Sequence, residues 1–304
     1  MTQAQQSTTA TARNGKQGVT PPATAITPIV PASIAPGEGF TDPLVSGSSE
    51  VHKHILNASG KAKASKTDWP LRTAPEPVWY ICLDPNGLEI AKRLRASGRD
   101  IRIKYHNHKR PGEADQRTYI AGWNEFKRSW YAAINANKGT LVVDTGTEMY
   151  EECRLAHFGK VEQIRGRYYG PVNTDMKVLF RDLQVSSLSA CIIHKLKKEW
   201  VNDASGEGRP TGNLVPAGWA EMEDGYAAQG NVELWRDDSV MAEWVKRGRP
   251  STGWLDEKSG DWKFPFHLWI KEYSLDIGMS GTDNTTDQMT FAMMLMLSTG
   301  GLPE

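Results

Sequence analysis

Three short apolar runs, each ended by a polar or acidic residue, set the limits on how this chain can fold. They are Pro77–Asp84 (PVWYICLD), Thr140–Asp144 (TLVVD) and Ser189–His194 (SACIIH). Apolar runs of this length, without polar alternation, suit strands covered on both faces. Two further strand candidates are Val51–Leu56 and the alternating Asp100–Tyr105 (DIRIKY). Between them the period changes. Tyr119, Trp123, Phe126, Trp130 and Ile134 recur at helical spacing and predict an amphipathic helix over 118–137. Met149, Cys153 and Ala156 give the next helix its face, and Asn173 offers a cap for a helix running to about Val185. Strands alternating with helices need crossover connections, so the expected fold is α/β with a mainly parallel sheet flanked by helices. Past Trp200 the pattern predicts a Gly- and Asp-rich loop over 202–213, antiparallel strands at 217–223, 230–236 and 266–277, and a terminal apolar helix, Met289–Leu297.

Residues 1–50 are of another kind, rich in Thr, Ala, Pro, Ser and Gly. Such a segment buries too little apolar surface to offset its chain entropy, and it is expected to be a disordered tail ahead of one domain over 51–304. Lys+Arg and Asp+Glu both number 36, so any nucleic-acid affinity has to come from a local patch. No apolar stretch approaches membrane-spanning length, and residues 1–20 hold no apolar core for a signal peptide. Cys82, Cys153 and Cys191 are odd in number and lack CxxC spacing, which reads as buried thiols in a reducing, cytoplasmic compartment.

The segment with most chemistry is Gly60-Lys61-Ala62-Lys63-Ala64-Ser65-Lys66-Thr67. Against the phosphate-binding template GxxxxGK[ST] it departs at one place, where Ser65 replaces the second glycine. In that template backbone N–H groups wrap phosphates, the lysine reaches the β/γ oxygens and the hydroxyl holds Mg²⁺. Gly60, Ser65, Lys66 and Thr67 are therefore the candidate nucleotide contacts. Ser65 carries a Cβ where glycine freedom is wanted, so it must either accept a strained backbone or leave the amide cradle partly open, weakening the hold on the β-phosphate. Asp144, ending the TLVVD run, is the acid such a site needs beside its metal, which makes Thr67 and Asp144 the candidate metal pair.

The stretch GTLVVDTGTEMYEECRLAHFGK, with YYGPVNTDMKVLFRDL and SACIIHKLKKEW after it, resembles the phage-encoded AAA/RecA-like nucleotide-binding proteins, including their single-strand annealing ATPases. The resemblance runs over roughly Val51 to Leu297 and is sharpest over 139–201. It implies a RecA-like P-loop core, binding of ATP and Mg²⁺ by Gly60, Lys66, Thr67 and Asp144, and a γ-phosphate sensor at His194. It also implies a role in phage DNA recombination or replication on single-stranded DNA, with a phage protein partner and a homo-oligomer as further expectations. Two other readings share the core: a degenerate P-loop protein that binds a partner or DNA without turnover, and a helicase-loader-like accessory ATPase. Ser65 and Pro70, close behind the loop, favour the degenerate reading, as do the polar His52, Lys53 and His54 in the first strand candidate.

For the acid that polarises water, Asp84 stands just past the second strand, with Glu89 and Glu148 as substitutes. Over 157–200 eight Lys/Arg face four acids, a net charge of +4. Within it, Arg165, Arg167 and Tyr168 form a basic–aromatic loop suited to single-stranded nucleic acid, with Lys195 as a further contact. The pairs His52/His54 and His106/His108 read as solvent-facing histidines at strand ends, not as metal ligands. The eleven tryptophans fall mostly at core spacing and read as packing.

Overall fold

A computed structural model describes residues 53–160, 169–202, 208–219, 228–249, 254–259, 262–273, 279–286 and 289–298. All belong to one compact unit, Val51–Glu304. The apolar runs become the central strands: β1 (Ile55–Gly60), β2 (Val78–Cys82), β3 (Ile101–Tyr105), β4 (Thr140–Asp144) and β5 (Ser189–Ile193). β8 (Gly230–Arg236), β11 (Phe266–Tyr273) and β12 (Thr282–Thr285) extend the sheet to eight strands in the order β12-β11-β8-β1-β5-β4-β2-β3. The six strands from β8 to β3 are mutually parallel, while β11 pairs antiparallel with both neighbours. This is the α/β, mainly parallel architecture that the alternating pattern requires.

Helices cover both faces. α3 (Gln116–Ala136), α4 (Gly146–Phe158) and α5 (Gly170–Val185) share one core with Leu141, Val143, Ala190 and Ile192. On the other face Val142, Cys191 and Ile193 pack with Trp69 and Leu71 of α1 (Asp68–Thr73), Ala91 of α2 (Pro85–Ala96) and Phe291 of α7 (Phe291–Ser298). Successive residues of one strand thus feed opposite cores, which is why these runs do not alternate. α6 (Asp238–Lys246) and the short pair β9 (Trp254–Leu255) and β10 (Trp262–Lys263) lie outside these two cores.

Several expectations shift. The first strand starts at Ile55, not Val51: Ile55 is the first residue paired in the ladder with β5, Lys53 and His54 lie ahead of it, and Val51 and His52 lie outside the described residues. Lys53 precedes it and donates to carbonyls at the C-terminal end of α5, Leu183 among them at 3.3 Å. The objection that the first strand is too polar therefore lapses. Of the loop expected over 202–213, 208–213 is instead strand, part of a hairpin of β6 (Leu196–Asn202) with β7 (Gly208–Pro216) that forms its own two-stranded sheet; 203–207 lie outside the described residues. Ala217–Trp219 is not strand, and the rest of the 217–223 prediction lies outside the described residues. His54 and His106 are buried, against Tyr273 and Ser129, and not solvent-facing. The three cysteines are free and buried, as expected. Among the described residues no helix is long and apolar enough to cross a membrane.

Candidate functional site

Parallel strands bring their C-terminal ends to one edge of the sheet, and loops leaving that edge converge there. The 60–67 loop leaves β1 at this edge, and a cavity of about 760 Å³ opens above it. All eight loop residues line the cavity, together with Asp84, Asn86, Gly87, Ile90, Asp144, Thr145, Lys195, Leu196 and Leu214. Gly60 has φ +151°, and a Cβ there would lie 2.1 Å from the carbonyl oxygen of Leu234 on β8. The opening glycine is thus required by the neighbouring strand, a constraint that the loop sequence alone does not reveal.

Ser65 takes φ +63°, as does Lys63. Serine therefore occupies the left-handed conformation that glycine reaches freely, and of the two alternatives posed by the sequence the strained backbone is the one adopted. Its carbonyl accepts the Trp69 N–H at 2.9 Å, leading the chain into α1. Pro70 is the third residue of that helix, within the first turn, where a proline N–H is not needed.

β5 lies between β1 and β4, so the loop must reach across one strand to meet Asp144. It does: Thr67 Oγ1 donates to Asp144 Oδ2 at 2.7 Å, joining residues 77 apart in sequence. Tyr80, on β2, donates its Oη–H to the same oxygen at 2.9 Å. Asp144 is fully enclosed, and burial pushes its carboxyl up to about 6, although both hydrogen bonds pull the other way. Over it sits the first turn of α2. A Cβ on Gly87 would fall 2.1 Å from Tyr80 Oη and 2.5 Å from Asp144 Oδ2, so only glycine fits there. Tyr80 and Gly87 are functional candidates that sequence reasoning missed. Tyr80 hides inside an apolar strand, and the pairing of Cys82 with Asp144 across β2 and β4 is what brings its hydroxyl to the acid.

Lys66 Nζ donates to the Lys61 carbonyl at 2.6 Å, folding back over its own loop. Burial lowers its pKa, opposed by Asp144 and Asp84 and reinforced by Lys195. The side chains of the candidate acids separate clearly. Asp84 lines the cavity, caps α2 through the Asn86 N–H at 3.0 Å, and follows a backbone tied to β4 by the N–H groups of Leu83 and Asp84 on the Asp144 carbonyl. Glu89 lies on the exposed side of α2, paired with Lys92 at 2.8 Å, and does not reach the cavity. Glu148, in the first turn of α4, does not line the cavity but is ion-paired with Lys195, which does. His194 is buried, with Nδ1 against the Ala217 carbonyl at 2.9 Å; desolvation lowers it to about 4, so it is neutral at pH 7, and it does not line the cavity. Arg165, Arg167 and Tyr168 lie outside the described residues. Lys195 is at the cavity wall, at the base of the β6–β7 hairpin.

The hairpin itself was not expected. Leu196 and Leu214 at its base help wall the cavity, while Trp200 and Val201 further out are 62% and 50% exposed. Trp200 thus departs from the reading of the tryptophans as packing, unlike the buried Trp69, Trp123, Trp130 and Trp219. Lys197, Lys198 and Arg209 are also exposed on the hairpin, and the carboxylate of Glu199 is engaged by Thr211 Oγ1 at 2.6 Å and Asn213 Nδ2 at 3.1 Å.

No protein-family model matches the chain, and no curated protein matches it. A similar solved structure is that described in "Structural and biochemical analysis of a prototypical ATPase from the type III secretion system of pathogenic bacteria". It is 12% identical with a TM-score of 0.41 over 81% of this chain, and the match spans 62% of that structure's length. A likeness of that strength assigns neither family nor function.

Proposed function

We propose that this chain is a RecA-like P-loop ATPase that binds ATP with Mg²⁺ in the cavity at the strand ends and works on single-stranded DNA. The observation that carries the nucleotide reading is the 2.7 Å bond from Thr67 to Asp144, which couples the loop hydroxyl to the strand-end carboxylate. A hydroxyl and a buried acid held together beside a lysine-bearing loop are the donor set that Mg²⁺ and a triphosphate need. The residues fit that group. Loop amides and Lys66 would hold the phosphates, and Thr67 and Asp144 would hold the metal. Bound Mg²⁺ would neutralise charge developing on the transferring phosphoryl group. Tyr80 fixes the Asp144 carboxylate from behind. Asp84, the one candidate acid in the cavity, is assigned the orientation of the attacking water.

The DNA reading is supported by the hairpin: exposed cations for phosphates and an exposed Trp200 for base stacking. Its assignment to phage recombination or replication rests on the resemblance over 139–201, and a reducing, cytoplasmic setting on the three buried free cysteines. The test is an ATP titration of the full chain by calorimetry with and without Mg²⁺, followed by turnover with and without single-stranded DNA. Mg²⁺-dependent binding that Lys66→Ala weakens supports the nucleotide assignment, and stimulation of turnover by DNA supports single-stranded DNA as the polymer. Absence of nucleotide binding under both conditions overturns the proposal and leaves the degenerate P-loop reading.

A further inference from the structure

On the α3–α4–α5 side of the sheet, three chemically different side chains meet at a point that the nucleotide site does not use. Cys153 and His157 are one turn apart on the same face of α4, and Asp175 comes from α5. His157 Nε2 and Asp175 Oδ2 are 3.2 Å apart, and Cys153 Sγ lies with both inside a 4.8 Å cluster. Trp123, on α3, donates its Nε1–H to Asp175 Oδ2 at 2.9 Å and so orients the carboxylate. The thiol is wholly buried, with one long contact to the Val172 carbonyl at 3.9 Å. Asp175 lies in the wall of an open cavity of about 680 Å³, which gives an ion a way in; Lys127 and Arg128 share that wall.

The geometry points to a divalent-metal site of the zinc type, made by Cys153 Sγ, His157 Nε2 and Asp175 Oδ2, with the fourth tetrahedral position left to a water. One sulfur, one imidazole nitrogen and one carboxylate oxygen match the donor preferences of Zn²⁺, where Mg²⁺ would want oxygens alone. Metal–ligand bonds of about 2.0–2.3 Å place tetrahedral ligand atoms about 3.3–3.8 Å apart. The nitrogen–oxygen pair, at 3.2 Å, is within about 0.1 Å of that range, and the sulfur needs a shift of about 1 Å. On binding, the Cys153 proton leaves to solvent and His157 carries its proton on Nδ1, leaving the Nε2 lone pair for the metal. The Trp123 N–H is the outer-shell bond that ligating carboxylates ordinarily have. The clamp would tie the C-terminal half of α4 to α5 across the connection 159–169. α4 starts two residues after Asp144, so the site can steady the nucleotide cavity from behind. The metal assignment does not depend on the nucleotide reading.

The experiment titrates Co²⁺ into the full chain after removal of metals by chelator, without nucleotide or Mg²⁺. Uptake of one equivalent with a near-ultraviolet thiolate-to-cobalt charge-transfer band, displaced by Zn²⁺, is the expected result. The band should vanish in Cys153→Ser, and affinity should fall about tenfold or more in His157→Gln, a partly exposed position that tolerates the amide. Zn²⁺ should also raise the melting temperature of the wild type and leave Cys153→Ser unmoved. Cobalt bound at Thr67 and Asp144 would show no thiolate band, so the two sites are told apart. Absence of the band in the wild type, or its persistence in Cys153→Ser, overturns the assignment.

Discussion

Ser65 offers a direct measure of what the departure from the loop template costs. Its backbone is held at φ +63°, and a side chain in the left-handed region costs about 1–2 kcal/mol. Ser65→Gly removes that strain but adds about 0.4–1 kcal/mol of unfolded-chain entropy. The difference is a net stabilisation of about 1 kcal/mol, worth roughly 2–4 °C in melting temperature for a domain of this size. The strain belongs to the loop's own backbone path, and where nucleotide binds to that same path it is common to the free and bound protein and cancels from the affinity. The glycine variant should therefore bind ATP within about threefold of the wild type, whereas closing a half-open cradle would tighten binding about 5- to 150-fold. Ser65→Ala is the control. It keeps the Cβ and should melt within about 0.5 kcal/mol of the wild type. The assays are paired thermal unfolding and calorimetric titration of the three proteins. A glycine variant that melts lower, or an alanine variant that gains as much as glycine, refutes the strain account; a large tightening of ATP binding returns the serine to the affinity-limiting role expected from the sequence.

Four other outcomes follow from the site and the fold. Lys66→Ala should weaken ATP binding about 10- to 150-fold, the value of a charged hydrogen bond, with little change in melting temperature, because its bond in the protein is to the Lys61 carbonyl; equal affinity by calorimetry refutes the loop assignment. Tyr80→Phe takes one of two donors from a buried carboxylate and should lower stability by about 1–3 kcal/mol at pH 7 while shifting the Mg²⁺ dependence of turnover; an unchanged Mg²⁺ profile would make Tyr80 structural only. Trp200→Ala should weaken single-stranded DNA binding by about 1–3 kcal/mol, and Lys197→Ala with Lys198→Ala should flatten its salt dependence by about one unit per lost phosphate contact, so an unchanged slope removes the hairpin from the interface. Acid stability is set by opposing groups. His54 and His194 are lowered by burial to about 3 and about 4, so the unfolded chain takes up their protons first and their contribution, complete above pH 6.5, is lost as pH falls. Asp144, raised to about 6, acts the other way and gains as pH falls from about 6 to 4. The two histidines outweigh the one carboxyl, so stability should fall between pH 7 and 4, and Asp144→Asn should steepen the fall; a flat urea midpoint over that range refutes the burial argument.

The apolar runs PVWYICLD, TLVVD and SACIIH are sufficient to specify central strands, because a strand with helices on both sides has no solvent face to make polar. The helix of Trp123, Phe126 and Trp130 is equally legible from its period. The meeting of the 60–67 loop with Asp144 is legible too, because a loop and a strand end of one parallel sheet emerge at the same edge. What the linear pattern cannot carry is adjacency across strands. Gly60 is demanded by a carbonyl of β8, more than 170 residues downstream, and Tyr80 becomes a donor to Asp144 only because β2 and β4 pair in one register. Asp84, Glu89 and Glu148 are alike as carboxylates, and only the fold puts Asp84 on the cavity wall, Glu89 on the exposed face of α2 and Glu148 against Lys195. Residues 208–213 carry the composition of a loop because β7 is exposed over most of its length and lacks the apolar signal that burial imposes. Cys153, His157 and Asp175 meet only when α4 and α5 pack. Local periodicity records which face of an element is buried; which elements share that burial is decided by the assembled sheet.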